Sequence, residues 1–185
     1  VRFAIEFLTG RHLGSRIHGV TMALAAEMLV LGKLAPNLDH ALSKLERVLD
    51  NGRAAELFQA MVTNLGGPGD LMEAPDRHLP AAPLTRAVPA SRAGTVTAID
   101  TRGIGLAVVA LGGGRTRSTD PIDPAVGLTA IAPLGTSVQA GDPLAIVHAR
   151  TEVGLIEATG RVRDAYTITD DGAVIGALVQ ARIVG

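Results

Sequence analysis

Gly112-Gly113-Gly114-Arg115-Thr116-Arg117 is the segment whose residue types come nearest to a ligand site. Successive glycines expose backbone N–H groups and permit close approach, and Arg115 and Arg117 add forked donors suited to an anion. The same residues would equally make a surface turn with solvated arginines, and local spacing does not separate the two readings. Downstream, Asp120 and Asp123 in Asp120-Pro121-Ile122-Asp123-Pro124 offer two carboxylates for acid–base or metal work. Asp-Pro steps build turns, however, and no third ligand lies nearby in sequence, so turns are expected here.

Other chemical signals are weaker. Gly103-Ile104-Gly105-Leu106-Ala107-Val108 begins like a dinucleotide fingerprint, but Val108 stands where the third glycine belongs and no strand clearly precedes it. His12, His18, His40, His78 and His148 have no metal-ligand spacing and no neighbouring serine or carboxylate in a triad pattern, so each reads as a surface or packed residue. No nucleophile can be nominated, and neither a metal nor a cofactor is expected. Gly135 to Leu144 has the rhythm of a turn between short strands, with Gly141 free to take positive φ. Biotinyl and lipoyl carriers share that rhythm, but they need a hairpin lysine, and the lysines here are Lys33 and Lys44 in the helical region.

Composition narrows the classes. The 185 residues are 47% hydrophobic and 19% charged, as expected of a soluble globular chain with a core of its own. A net charge of -1 and 2% aromatic residues provide neither a phosphate-binding surface nor a base-stacking platform, so nucleic acid is not an expected partner. The absence of cysteine excludes disulfides and thiolate chemistry and fits a cytoplasmic protein. The longest apolar stretch, Val20 to Leu31, is interrupted by Glu27 and falls short of the ~20 residues a membrane span needs.

The elements that must position these residues follow from periodicity. Val1, Ala4, Ile5 and Leu8 already form a helical stripe at the first residue, which reads as a piece of a larger protein. That helix should close at Gly10, and a second should run from Ser15 to about Leu34, stopped by Pro36-Asn37. A third carries Leu38, Ala41, Leu42, Leu45, Val48 and Leu49 and ends at Asn51-Gly52. A fourth has Ala54, Leu57, Phe58, Met61, Val62 and Leu65 on an expected inner face and ends at Gly66-Gly67. Five prolines and three glycines between Gly66 and Pro89 then read as a connecting arm with at most one short helix. Beyond it, 84–89, 94–99, 126–132, 144–148 and 177–184 suit strands and 151–165 a helix; periodicity leaves 104–111 as helix or buried strand. This order predicts an α+β fold, with a helical part at 1–66, an arm at 67–83 and a domain at 84–185.

Taken together, Phe7-Leu8-Thr9-Gly10, Val20-Thr21-Met22-Ala23-Leu24, Gly32-Lys33-Leu34-Ala35 and Val48-Leu49-Asp50-Asn51-Gly52 resemble the later part of the thymidine phosphorylases, a pyrimidine-nucleoside phosphorylase family. The resemblance continues through Ala98 to Arg102, Ala107 to Arg115, Asp123 to Gly127 and Pro143 to Ala149. It implies reversible phosphorolysis of thymidine to thymine and 2-deoxy-α-D-ribose 1-phosphate, a pentosyl transfer achieved by positioning and charge stabilisation. Phosphate and a pyrimidine deoxynucleoside would be the ligands of the whole protein. The family's phosphate loop and base-binding residues lie upstream of the position matching Val1, so no catalytic residue is expected in this chain and it should be inactive alone.

Further implications concern architecture. The resemblance implies the last helices of a larger α/β domain followed by an α/β-hammerhead-like C-terminal domain. The loop containing Gly112, Gly113, Gly114, Arg115 and Arg117 would lie near the cleft that this domain closes. A cation held in some relatives by a glutamate is not expected, because Phe3 occupies that position. Homodimerisation would use an N-terminal helical domain outside this chain. A separate possibility is a non-catalytic hammerhead module that binds a protein partner.

Overall fold

The computed structural model describes residues 1–183 and divides into two compact units. One contains Val1–Leu79 together with the described residues from Gly176 onward; the other is Pro80–Ile175. The secondary structure is α+β, as expected.

Helices α1 (Arg2–Leu8), α2 (Arg16–Leu31), α3 (Leu38–Asp50), α4 (Arg53–Asn64) and the single turn α5 (Pro75–His78) build the first unit. Their starts are local chemistry: the Ser15 hydroxyl accepts the His18 N–H, and the Asn37 side-chain oxygen accepts the His40 N–H at 3.0 Å. Their ends are equally local. Gly10 and Gly66, at φ +85°, follow α1 and α4, where N–H groups reach back to Glu6 and Val62 carbonyls in Schellman fashion. A small alanine-centred core of Ala26, Ala35 and Ala41 is packed by Leu29, Val30, Leu38, Leu42 and Leu45.

Two expectations for this unit need correction. Helix α2 ends at Leu31 rather than Leu34, because Lys33 adopts a left-handed conformation and the Leu34 N–H donates to the Leu29 carbonyl at 2.8 Å. The expected inner face of α4 is only partly covered: Ala54, Phe58 and Val62 are half-buried, but Leu57, Met61 and Leu65 are 55%, 49% and 81% exposed. Their stripe is amphipathic, but α4 buries no residue completely in this chain.

The second unit contains β1 (Leu84–Pro89), β2 (Gly94–Ile99), α6 (Thr101–Val108), β3 (Gly127–Thr129), β4 (Ser137–Val138), β5 (Pro143–Ala149), α7 (Glu152–Asp164) and β6 (Tyr166–Thr169). Two three-stranded antiparallel sheets result, ordered β1-β5-β3 and β4-β2-β6. Strand β5 is apolar because both its neighbours and α7 cover it: Leu144, Ala145, Val147 and Ala149 are fully buried. Val88, Val96, Leu155 and Val162 complete the centre of this core. Helix α7 starts on the Thr151 hydroxyl, which accepts the Gly154 N–H at 3.1 Å, and carries Glu152 in its first turn and Arg161 and Arg163 in its last.

The undecided stretch 104–111 is helical, and the helix runs on past Val108 until Gly112, at φ +91°, breaks it. The strand expected over 126–132 is confined to Gly127–Thr129, because Ala130 turns left-handed at φ +50°. The final strand expected over 177–184 does not form in 177–183, and Val184 lies outside the described residues. The last strand is instead Tyr166–Thr169, which pairs with β2.

Candidate functional site

The glycine block is built from the end of α6. Gly112 has φ +91°, a conformation that reverses the chain and favours a residue without Cβ. Gly113 and Gly114 are selected by space: a Cβ on them would come within 2.9 Å of Val108 Cγ1 and 2.8 Å of Val109 Cγ2. All three glycines thus have a structural reason to be here.

The N–H groups beyond them already hold an anion from this chain. Asp120 Oδ2 accepts the Thr116 and Arg117 N–H groups at 3.2 and 2.8 Å, and Arg115 Nε donates to the Asp120 carbonyl oxygen at 3.1 Å. Asp120 therefore folds the segment Arg115 to Asp120 onto itself. The guanidinium Nη groups of Arg115 and both Arg115 and Arg117 charges remain at an exposed surface.

Asp123 faces a different partner, so the two aspartates do not form a pair. Its Oδ2 and Oδ1 receive Arg150 Nε and Nη2 at 2.6 and 3.1 Å, and Oδ1 also accepts the Ala125 N–H at 3.0 Å. Arg150 beside it, and then the Ala125 N–H, hold the Asp123 carboxyl below the usual carboxylate value, while the Arg150 guanidinium is pushed up. The Asp123 N–H closes the segment by donating to the Gly112 carbonyl at 2.9 Å.

The remaining candidates separate in space. Gly103 lies inside the first turn of α6, its N–H capped by Asp100 Oδ1 at 3.0 Å. Strand β2, expected over 94–99, precedes that helix, but both its partners are antiparallel, so among the described residues it starts no parallel βαβ unit for a dinucleotide. His12 meets Glu6 at 3.0 Å and stacks on Phe3, His40 meets Asn37, His78 meets Asp70 at 2.6 Å and His148 meets Thr129 at 2.7 Å. Among the described residues no group of three or more His, Cys, Asp or Glu is placed to hold a metal ion. No helix in the described residues is long and apolar enough to cross a membrane.

Two residues that organise this unit were not among the expected site residues. Arg150 is one. The other is Tyr166, whose buried hydroxyl on β6 lies 3.1 Å from both the Ala132 and Leu144 carbonyl oxygens and so links one sheet to the other. Alternating Tyr166-Thr167-Ile168-Thr169 had the composition of a strand and was the one available clue.

Residues 95–169 match the family model of the pyrimidine nucleoside phosphorylase C-terminal domain. In the fold that span runs between Thr95 and Thr169, which are register partners on β2 and β6. Residues 95–169 are therefore the part of the chain that carries the likeness to that domain. The chain is 51% identical over 180 residues to a thymidine phosphorylase of Burkholderia cenocepacia, covering 97% of this chain and 41% of that protein. It is also 51% identical over 172 residues to the thymidine phosphorylases of Burkholderia orbicola and Burkholderia lata, covering 93% of this chain and 39% of each. The chain therefore spans about two fifths of the length of these relatives. Within this domain, the loop that leaves α6 at Gly112 and returns at Asp123 is the candidate functional element.

Proposed function

We propose that this chain is part of a thymidine phosphorylase, a pentosyltransferase of nucleoside salvage in the cytoplasm. The reaction is thymidine plus phosphate to thymine plus 2-deoxy-α-D-ribose 1-phosphate. The observation that carries the reading is 51% identity to thymidine phosphorylase along 97% of the chain. In this reading residues 1–66 are the helical end of a larger α/β domain, 67–83 the connection and 84–185 the lobe that closes on the substrate cleft. The whole protein would act as a homodimer on phosphate and a pyrimidine deoxynucleoside, without nucleic acid.

The chain alone would be inactive. Phosphorolysis needs phosphate aligned with the anomeric carbon and donors around the charge that develops, whereas Asp120 and Asp123 are acceptors already engaged by the Arg117 N–H and by Arg150. What this chain contributes is closure, with Gly112, Gly113 and Gly114 shaping the loop that carries Arg115 and Arg117. A closing loop excludes water and completes the cleft without touching the reacting atoms.

A chimera tests this directly: the matching part of the Burkholderia cenocepacia enzyme is replaced by this chain. Phosphate-dependent release of thymine by the folded chimera is the expected result, with none from the chain alone. A folded, dimeric chimera without activity would refute the phosphorylase reading and leave a non-catalytic protein-binding module.

A further inference from the structure

The segment from Gly112 to Asp123 leaves α6 and returns to the same point, closed by the Asp123 N–H on the Gly112 carbonyl. It is a compact loop of Ω type, within the roughly 6–16 residues that such loops span. Among the described residues, the hydrogen bonds of Arg115, Thr116, Arg117 and Asp120 all stay inside it. Nothing in that internal set fixes where the loop points.

One outside side chain does so. Arg150 follows the last residue of β5 and precedes Thr151, the cap of α7, so its backbone is held between a buried strand and a capped helix. Its guanidinium grips Asp123 through two parallel bonds, at 2.6 and 3.1 Å. A two-pronged pair fixes orientation as well as distance, which a point charge does not. Asp123 is also where the loop closes, so a grip on its carboxylate transmits to the whole segment. Exposed pairs elsewhere in the unit, such as Arg86 with Glu152 at 3.0 Å, join elements that backbone pairing and packing already hold.

We propose that Arg150 is a positioning residue, which acts through Asp123 to hold the loop Gly112–Asp123, and with it Arg115 and Arg117, in one orientation against β5 and α7. The functional consequence rests on the closing role proposed above for this loop; the positioning itself is independent of any reaction.

Residue-resolved amide hydrogen exchange on the 185-residue chain tests it. In Arg150→Ala, the amides of residues 116, 117, 123 and 125 should exchange faster by on the order of 10-fold, while those of Val147 and Leu155 keep their wild-type rates. Arg150→Lys, which keeps the charge without the fork, should restore part of the protection. Asp123→Asn retains an acceptor for the Ala125 N–H, so loosening of residues 116 and 117 there isolates the ion pair. Arg86→Ala should leave the loop unchanged. Loop rates in Arg150→Ala within about twofold of wild type would overturn the proposal, as would equal acceleration at Val147 and Leu155, the mark of general loosening. An inactive chimera with the expected exchange pattern would refute the phosphorylase reading and leave this positioning role standing.

Discussion

Tyr166 is the sole tyrosine of a chain without tryptophan, so its state can be read directly from phenol absorbance. Its hydroxyl lies 3.1 Å from two carbonyl oxygens and can direct one proton between them. In Tyr166→Phe the Leu144 carbonyl still receives the Ala132 N–H at 2.8 Å, leaving the Ala132 carbonyl as the acceptor that loses its buried partner. The loss is one hydrogen bond plus that desolvated group, together about 1–3 kcal/mol. For a unit of roughly 60–100 residues, each 1 kcal/mol lowers Tm by about 4–8 °C. Burial pushes the wild-type phenol up from 10.0, and a phenolate would face the same carbonyls. With the folded value raised, the stabilising contribution is complete below the unfolded value and is lost as pH rises through the folded one. Denaturant unfolding of both proteins should therefore show a gap that is constant below pH 10 and narrows above it. Phenol absorbance of the folded wild type should titrate above that of the unfolded chain. An equal stability at neutral pH, or a folded phenol that ionises at its ordinary value, would refute the bridging role.

Leu155→Ala removes a fully buried side chain from the centre of α7 and should cost about 2–5 kcal/mol in denaturant unfolding. Arg115→Ala and Arg117→Ala in the active chimera should each lower turnover by on the order of 10-fold with little change in Tm, as expected of closing contacts; unchanged steady-state rates in the double variant would return both to ordinary surface residues. Acid should release the Asp123 clamp late. Its carboxyl is held below 3.8, so its stabilisation is present above that value and lost only as pH falls through the lower folded value. Asp123 chemical shifts followed through acid titration check this, and protonation at or above the ordinary value would contradict it.

Sequence alone determined the features whose physics is contained within a few residues. Ser15 and Thr151 mark helix starts because a short side-chain oxygen reaches an N–H three residues on, and Asn37, read as a stop, also caps the next helix in this way. Gly10, Gly52 and Gly66 mark ends because they take positive φ without a Cβ clash. Strands 84–89 and 94–99 were legible from alternation and β-branched residues, and the α+β class followed from the order of such segments. The glycine block was visible as a candidate turn, and segments spread from Phe7 to Ala149 carried the resemblance to the family.

Tertiary structure decided what those residues meet. Lys33 gives no sign in its type that it will turn left-handed and shorten α2, and the stripe on α4 does not reveal whether anything covers it. Residues 177–183 have the apolar content of a strand, but a strand also needs a partner, which composition does not supply, and these residues enter no ladder. The two aspartates show the division most clearly. Asp120 folds its own neighbours within four residues, a turn its sequence announced. Asp123 is clamped by an arginine 27 residues away, brought there only because β5 pairs with β3 and delivers Arg150 at its end. Local rules fix backbone conformation over a turn or two, whereas long-range pairing depends on which apolar faces bury one another, and that is settled by the whole core.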